Sequence, residues 1–157
     1  MTNPLTVTAP EGLPFIDFTR KFDFPVEKVF SVYADPDLVS QWLSPRGYEM
    51  RVDHYDFRTG GSYAYTHIDP EGQESKFRGS LHSVRENEIA VQTFEFLGFP
   101  DVVSVETLTF ADIGDGRTRL SGHAVYPSME ARDGMVASGM ESGMKDGFEQ
   151  LEELLQR

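Results

Sequence analysis

Apolar and polar residues alternate along most of this chain. Over residues 15–24, Ile16, Phe18, Phe22 and Phe24 share one parity, which predicts a β-strand. Val26, Val29, Phe30, Val32 and Tyr33 then follow helical spacing, with Pro25 suited to the helix start. Asp35-Pro36 ends that helix, and Asp35 can cap a second short one carrying Leu38, Val39, Trp42 and Leu43. Beyond Tyr48 the period drops to two. Strands are expected near 48–58, 62–68, 76–85, 89–97, 102–110 and 118–126. Turn chemistry separates them at Thr59-Gly60-Gly61, Asp69-Pro70-Glu71-Gly72, Glu86-Asn87, Gly98-Phe99-Pro100-Asp101 and Gly114-Asp115-Gly116. Such short connections make neighbouring strands antiparallel.

Residues 128–157 return to helical spacing and are expected to form one long helix. Met140, Met144, Phe148, Leu151, Leu154 and Leu155 fall in one arc, with Glu141, Lys145, Glu149, Glu152 and Glu153 opposite. Gly139, Gly143 and Gly147 recur along one edge of the apolar arc. Each interior glycine costs a helix about 1 kcal/mol relative to alanine. Two explanations stand: another backbone approaches closely, or the helix leaves space beside a sheet it does not fill. The neighbouring methionines suit adaptable packing. The charges at Glu141, Lys145, Asp146 and Glu149 exclude a membrane helix.

The element order is one strand, two short helices, six strands and a long helix. An α+β fold follows, a seven-stranded antiparallel sheet curled around the C-terminal helix. The 157 residues are expected to form one domain over 15–157, preceded by an extended arm over 1–14 that contains Pro4, Pro10 and Pro14. The absence of cysteine excludes disulfides and thiolate chemistry. A net charge of −12 argues against nucleic acid and anionic membrane surfaces. With neither a signal-peptide pattern nor a spanning run, a cytoplasmic protein is expected. His54, His67, His82 and His123 form no metal-ligand spacing, and no serine-nucleophile elbow or phosphate loop is present, so no cofactor is expected.

Particular motifs carry a family resemblance. Pro25-Val26-Glu27-Lys28-Val29-Phe30, Asp35-Pro36-Asp37-Leu38 and Trp42-Leu43 resemble the opening of START-like (SRPBCC) domains. Asp56-Phe57-Arg58-Thr59-Gly60-Gly61-Ser62-Tyr63 resembles a turn of the branch named after activators of the heat-shock chaperone ATPase. Phe77-Arg78-Gly79, Gln92-Thr93-Phe94-Glu95-Phe96, Arg132-Asp133-Gly134-Met135 and Ser138-Gly139-Met140-Glu141 add to it. The resemblance implies the helix-grip fold, with an apolar cavity between sheet and helix. It also implies partners of two kinds, a small hydrophobic molecule or a chaperone, and admits aromatase/cyclase chemistry.

Strand parity and the helical arc together suggest the cavity lining. Trp42, Tyr65, Phe77, Phe94, Phe96, Met140, Gly143 and Met144 are expected to bound it, with Phe30 and Tyr33 near its mouth. Tyr65, Glu106, His123 or Arg78 would orient a ligand. Glu106 and His123, if both faced inward, would form an acid–base pair for cyclase-type chemistry. Arg132 and Asp133 read as a structural cap and ion pair.

Overall fold

The computed structural model describes residues 3–157; Met1 and Thr2, the start of the expected arm, lie outside it. The elements in chain order are β1 (Thr6–Thr8), β2 (Phe15–Phe22), α1 (Val26–Ala34), α2 (Pro36–Val39), β3 (Glu49–Tyr55), β4 (Ser62–Ile68), β5 (Glu74–Arg85), β6 (Ile89–Phe96), β7 (Val103–Gly114), β8 (Arg117–Val125), α3 (Met129–Ala137) and α4 (Met140–Leu155). The strands form one antiparallel sheet in the order β1-β2-β8-β7-β6-β5-β4-β3. It has eight strands rather than seven, because Thr6–Thr8 of the arm pairs with Asp17–Thr19 at the sheet edge.

α1 buries Val26, Val29, Phe30, Val32 and Tyr33, the residues picked out by helical spacing. Asp35 caps α2, its carboxylate accepting from the Asp37 amide at 2.9 Å. The inner sheet face and α4 share a core in which Phe22, Leu120, Leu151 and Val29 are sealed. Phe148 of α4 packs on Phe18 at 5.5 Å and Phe22 at 5.7 Å between ring centres. Burying one such ring stabilises the fold by about 1.5–3 kcal/mol. Arg20, also on the inner face, pairs with Glu152 of α4 at 3.2 Å.

The C-terminal region is two helices, not the single rod expected. α3 ends at Ala137, and Gly139 opens α4 with φ +83°. That left-handed conformation suits glycine and stops a continuous helix. Ser128 caps α3 by accepting from the Ala131 amide at 3.0 Å. Arg132 is no cap. Its guanidinium is buried, donates to the carbonyls of Pro10 at 2.8 Å and Phe15 at 3.3 Å, and pairs with Asp133. It ties α3 to the segment preceding β2.

Candidate functional site

The inner sheet face has two regions. Over β2, β8 and the far half of β7 it is sealed by α1 and α4. Over β4, β5 and β6 it carries an aromatic wall that stays half-buried at Phe77, Phe94 and Phe96. Tyr65 stacks on Phe77 at 5.2 Å, and Phe77 continues to Phe94 at 5.5 Å and Phe96 at 5.3 Å. Tyr63 stacks on Tyr65 at 5.9 Å, and His67 meets Phe77 at 4.9 Å. Antiparallel register explains the wall: Tyr65 opposes Phe77, and Phe77 opposes Phe96, so alternating aromatics fall on one face.

Glu106 sits at the edge of this wall. Its partners in register are Gln92 on β6 and Ala124 on β8. Gln92 Nε2 donates to Glu106 Oε1 at 3.0 Å. Protein encloses the carboxyl, and burial raises its pKa against the lowering effect of the Gln92 bond. Its charge in turn acts on Tyr33, Tyr63, Tyr65 and Tyr126, whose hydroxyl pKa values are raised mainly by burial. As a residue Glu106 is half-buried.

Hydrogen bonding separates the paired polar groups from the unpaired ones. The Tyr55 hydroxyl donates to the Tyr33 carbonyl, and the Tyr63 hydroxyl to the Thr93 carbonyl at 2.6 Å. The hydroxyls of Tyr33, Tyr65 and Tyr126 and Oε2 of Glu106 have no such partner among the described residues. None of these atoms is sealed; the one sealed, unpaired side-chain polar atom among the described residues is Asn3 Nδ2. They therefore border room that water reaches. His67 Nε2 lies 2.7 Å from the Leu43 carbonyl, so it carries the proton. Burial lowers the His67 pKa and keeps the ring neutral.

α4 closes one side. Gly147 is tight: a Cβ there would stand 3.2 Å from the Trp42 carbonyl oxygen. Gln150 reinforces the contact by donating to the carbonyls of Trp42 at 3.3 Å and Ser44 at 2.6 Å. Gly143 has room, its nearest neighbour being Pro45 Cγ at 3.9 Å. Gly139 meets nothing within 4 Å. Close approach thus accounts for Gly147 and the left-handed backbone for the exposed Gly139, while Gly143 has room for a side chain.

The residues singled out from sequence separate accordingly. Tyr65, Phe77, Phe94, Phe96 and Glu106 come together on the inner face. Met144 packs at the rim of the main core; Met140 is half-buried at the start of α4. Trp42 is 1% exposed, donates to the Val32 carbonyl and stacks on Phe148, so it is core rather than lining. Phe30 and Tyr33 are likewise core, packed on Phe110 at 5.1 and 5.4 Å, and not at a mouth, although the Tyr33 hydroxyl is not sealed. His123 is a correction. It pairs in register with Thr107, on the opposite parity to Glu106, and bonds Asp17 on the outer face at 2.5 Å. The Glu106–His123 acid–base pair does not form. Arg78 also lies outside, paired with Glu95 at 2.8 Å.

Tyr63, Gln92 and Tyr126 were missed as site residues. Tyr63 shares parity with Tyr65, and Gln92 with Phe94 and Phe96; the facing of Gln92 on Glu106 needs the register. No group of three or more His, Asp or Glu that could hold a metal occurs among the described residues. Two surface hollows lie elsewhere. One, of about 410 Å³, runs from Glu27 and Phe30 to Glu86 and Asn87; the other, about 190 Å³, surrounds the Asp17–His123 pair.

A family model described as activator of Hsp90 ATPase homolog 1-like protein matches residues 23–156. The chain belongs to that family. Solved structures share the architecture. A Mycobacterium smegmatis crystal structure matches with TM-score 0.87 and 26% identity over 97% of each chain. A Staphylococcus epidermidis solution structure matches with TM-score 0.81 and 26% identity over 95% of this chain and 93% of that one. A Rhodobacter sphaeroides crystal structure, at 23% identity, shows the same fold with TM-score 0.87 over 98% and 99%. A search of the curated proteins finds no match. No helix of the described residues is long and apolar enough to cross a membrane.

Proposed function

We propose that this chain binds a small hydrophobic or aromatic molecule between the aromatic wall and the N-terminal half of α4, without catalysing a reaction on it. The observation that carries this reading is the unpaired polar rim, Glu106 Oε2 with the Tyr65 and Tyr126 hydroxyls, set against Phe77, Phe94 and Phe96. Apolar lining with a few convergent polar groups is the usual composition of small-molecule sites. Native mass spectrometry against a panel of lipids, aromatics and polyketides tests it. One-to-one complexes are expected, and Ala124→Phe, which fills the position beside Glu106, should abolish them. No complex with any panel member would count against the reading.

A second reading comes from the family description, which names an activator of a chaperone ATPase. Leu97, Phe99, Val102, Val103 and Val105 are exposed around the β6–β7 turn and offer an apolar contact area for such a partner. Pull-down of the host's Hsp90-class chaperone with an ATPase assay discriminates. An unchanged ATPase rate would remove this reading.

A further inference from the structure

The charges around the wall bear on which guest it accepts. On the inner positions of the sheet, the charged residues are Arg20, Glu106 and, exposed at the far end of β7, Asp112. Arg20 is neutralised by Glu152 at the sealed end. The other cations near α4 are also engaged: Arg46 pairs with Glu149 and Glu153, Lys145 with Glu149, and Arg132 with Asp133 and two carbonyls. Arg78 points outward, and His67 is held neutral by burial with its Nε2 proton on the Leu43 carbonyl. An anionic guest would meet the Glu106 carboxylate with no countercharge. A neutral apolar guest would leave that carboxylate enclosed and half-paired, an expensive arrangement.

A protonated amine removes both difficulties. Its N–H groups can donate to Glu106 Oε2 and to the oxygens of Tyr65 and Tyr126. We infer that the guest is an amphipathic amine, its protonated nitrogen against Glu106 and its apolar body along Tyr65, Phe77, Phe94 and Phe96. This rests on the ligand-binding reading above and adds the charge of the ligand to it.

Isothermal titration at pH 7 with two matched series tests the inference: 2-naphthylmethylamine, 2-naphthylmethanol and 2-naphthoate, then octylamine, octanol and octanoate. In at least one series the amine is expected to bind tenfold or more tighter than the alcohol, and the carboxylate not at all. Glu106→Gln, checked for folding by circular dichroism, should remove the preference for the amine over the alcohol. Equal binding of amine and alcohol, tightest binding of the carboxylate, or an amine preference that survives Glu106→Gln would overturn the amine class while leaving the ligand site standing. Failure of all six to bind would overturn both.

Discussion

Tyr63 lies across Gly79, its direct partner in register on the neighbouring strand. A Cβ at Gly79 would stand 2.5 Å from the Tyr63 Cζ and 2.0 Å from the Thr93 carbonyl oxygen, the same oxygen that accepts the Tyr63 hydroxyl. The missing side chain lets the ring cross β5 and reach β6. Tyr63 in turn backs Tyr65, so the glycine shapes the aromatic wall from behind.

Gly79→Ala is therefore expected to destabilise the fold by about 1–3 kcal/mol, the usual cost of overpacking, because the neighbour at 2.0 Å is backbone and cannot turn aside. Tyr63→Phe should cost less, about 1 kcal/mol, for one lost hydrogen bond. Urea denaturation of both variants measures the difference. A neutral Gly79→Ala would show that the strands part easily there.

Replacing the α4 glycines should separate the two explanations for them. Gly143→Ala gains about 1 kcal/mol of helix propensity and meets only Pro45 Cγ at 3.9 Å. Gly147→Ala gains the same but presses on the Trp42 carbonyl at 3.2 Å, which Gln150 holds in place. Thermal unfolding should show Gly143→Ala the more stable of the two. The opposite order would mean that the Trp42 loop yields freely.

Glu106 makes stability depend on pH in a defined direction. Burial raises its folded pKa above the unfolded value, so the folded state holds the proton more tightly. Below the unfolded pKa both states are protonated and there is no penalty. As pH rises through the unfolded value towards the folded one, the penalty for the enclosed charge grows and then stays. Glu106→Gln should thus raise the melting temperature at pH 7, by about 2–4 °C for each kcal/mol relieved, and leave it little changed at pH 4. A lower melting temperature at pH 7 would show that the carboxylate is already compensated.

Arg132→Met should cost about 1–3 kcal/mol, because the half-buried Pro10 and Phe15 carbonyls lose their charged donor. Hydrogen exchange should quicken at β1 and the start of β2 before it does at β7. Uniform quickening would place the effect elsewhere.

Period and turn chemistry made most of the fold readable. Phe18, Phe22 and the run 62–68 alternate cleanly, and both short helices are marked by Pro25 and Asp35-Pro36. The helix break was not foreseen, because Ser138-Gly139 reads equally as helix interior once Gly143 and Gly147 follow at the same interval. Only the left-handed backbone at Gly139 decides it. The arm's three-residue strand was missed because Thr6–Thr8 is too short to show a period. At the site, parity placed Tyr65, Phe77, Phe94 and Phe96 on single faces. The facing of β7 and β8 was ambiguous, since Val103, Val105 and Val125 are apolar on the outer side. Register, which no local pattern carries, put Glu106 inward and His123 outward.

A titration of isotope-labelled protein with 2-naphthylmethylamine, followed by NMR, addresses the interior most directly. Shifts should concentrate at Tyr65, Phe77, Phe94, Glu106 and Met144, and Ala124→Phe should erase them. Shifts confined to the outer face around Thr107 and His123, or the same response in Ala124→Phe, would contradict a guest held between wall and helix.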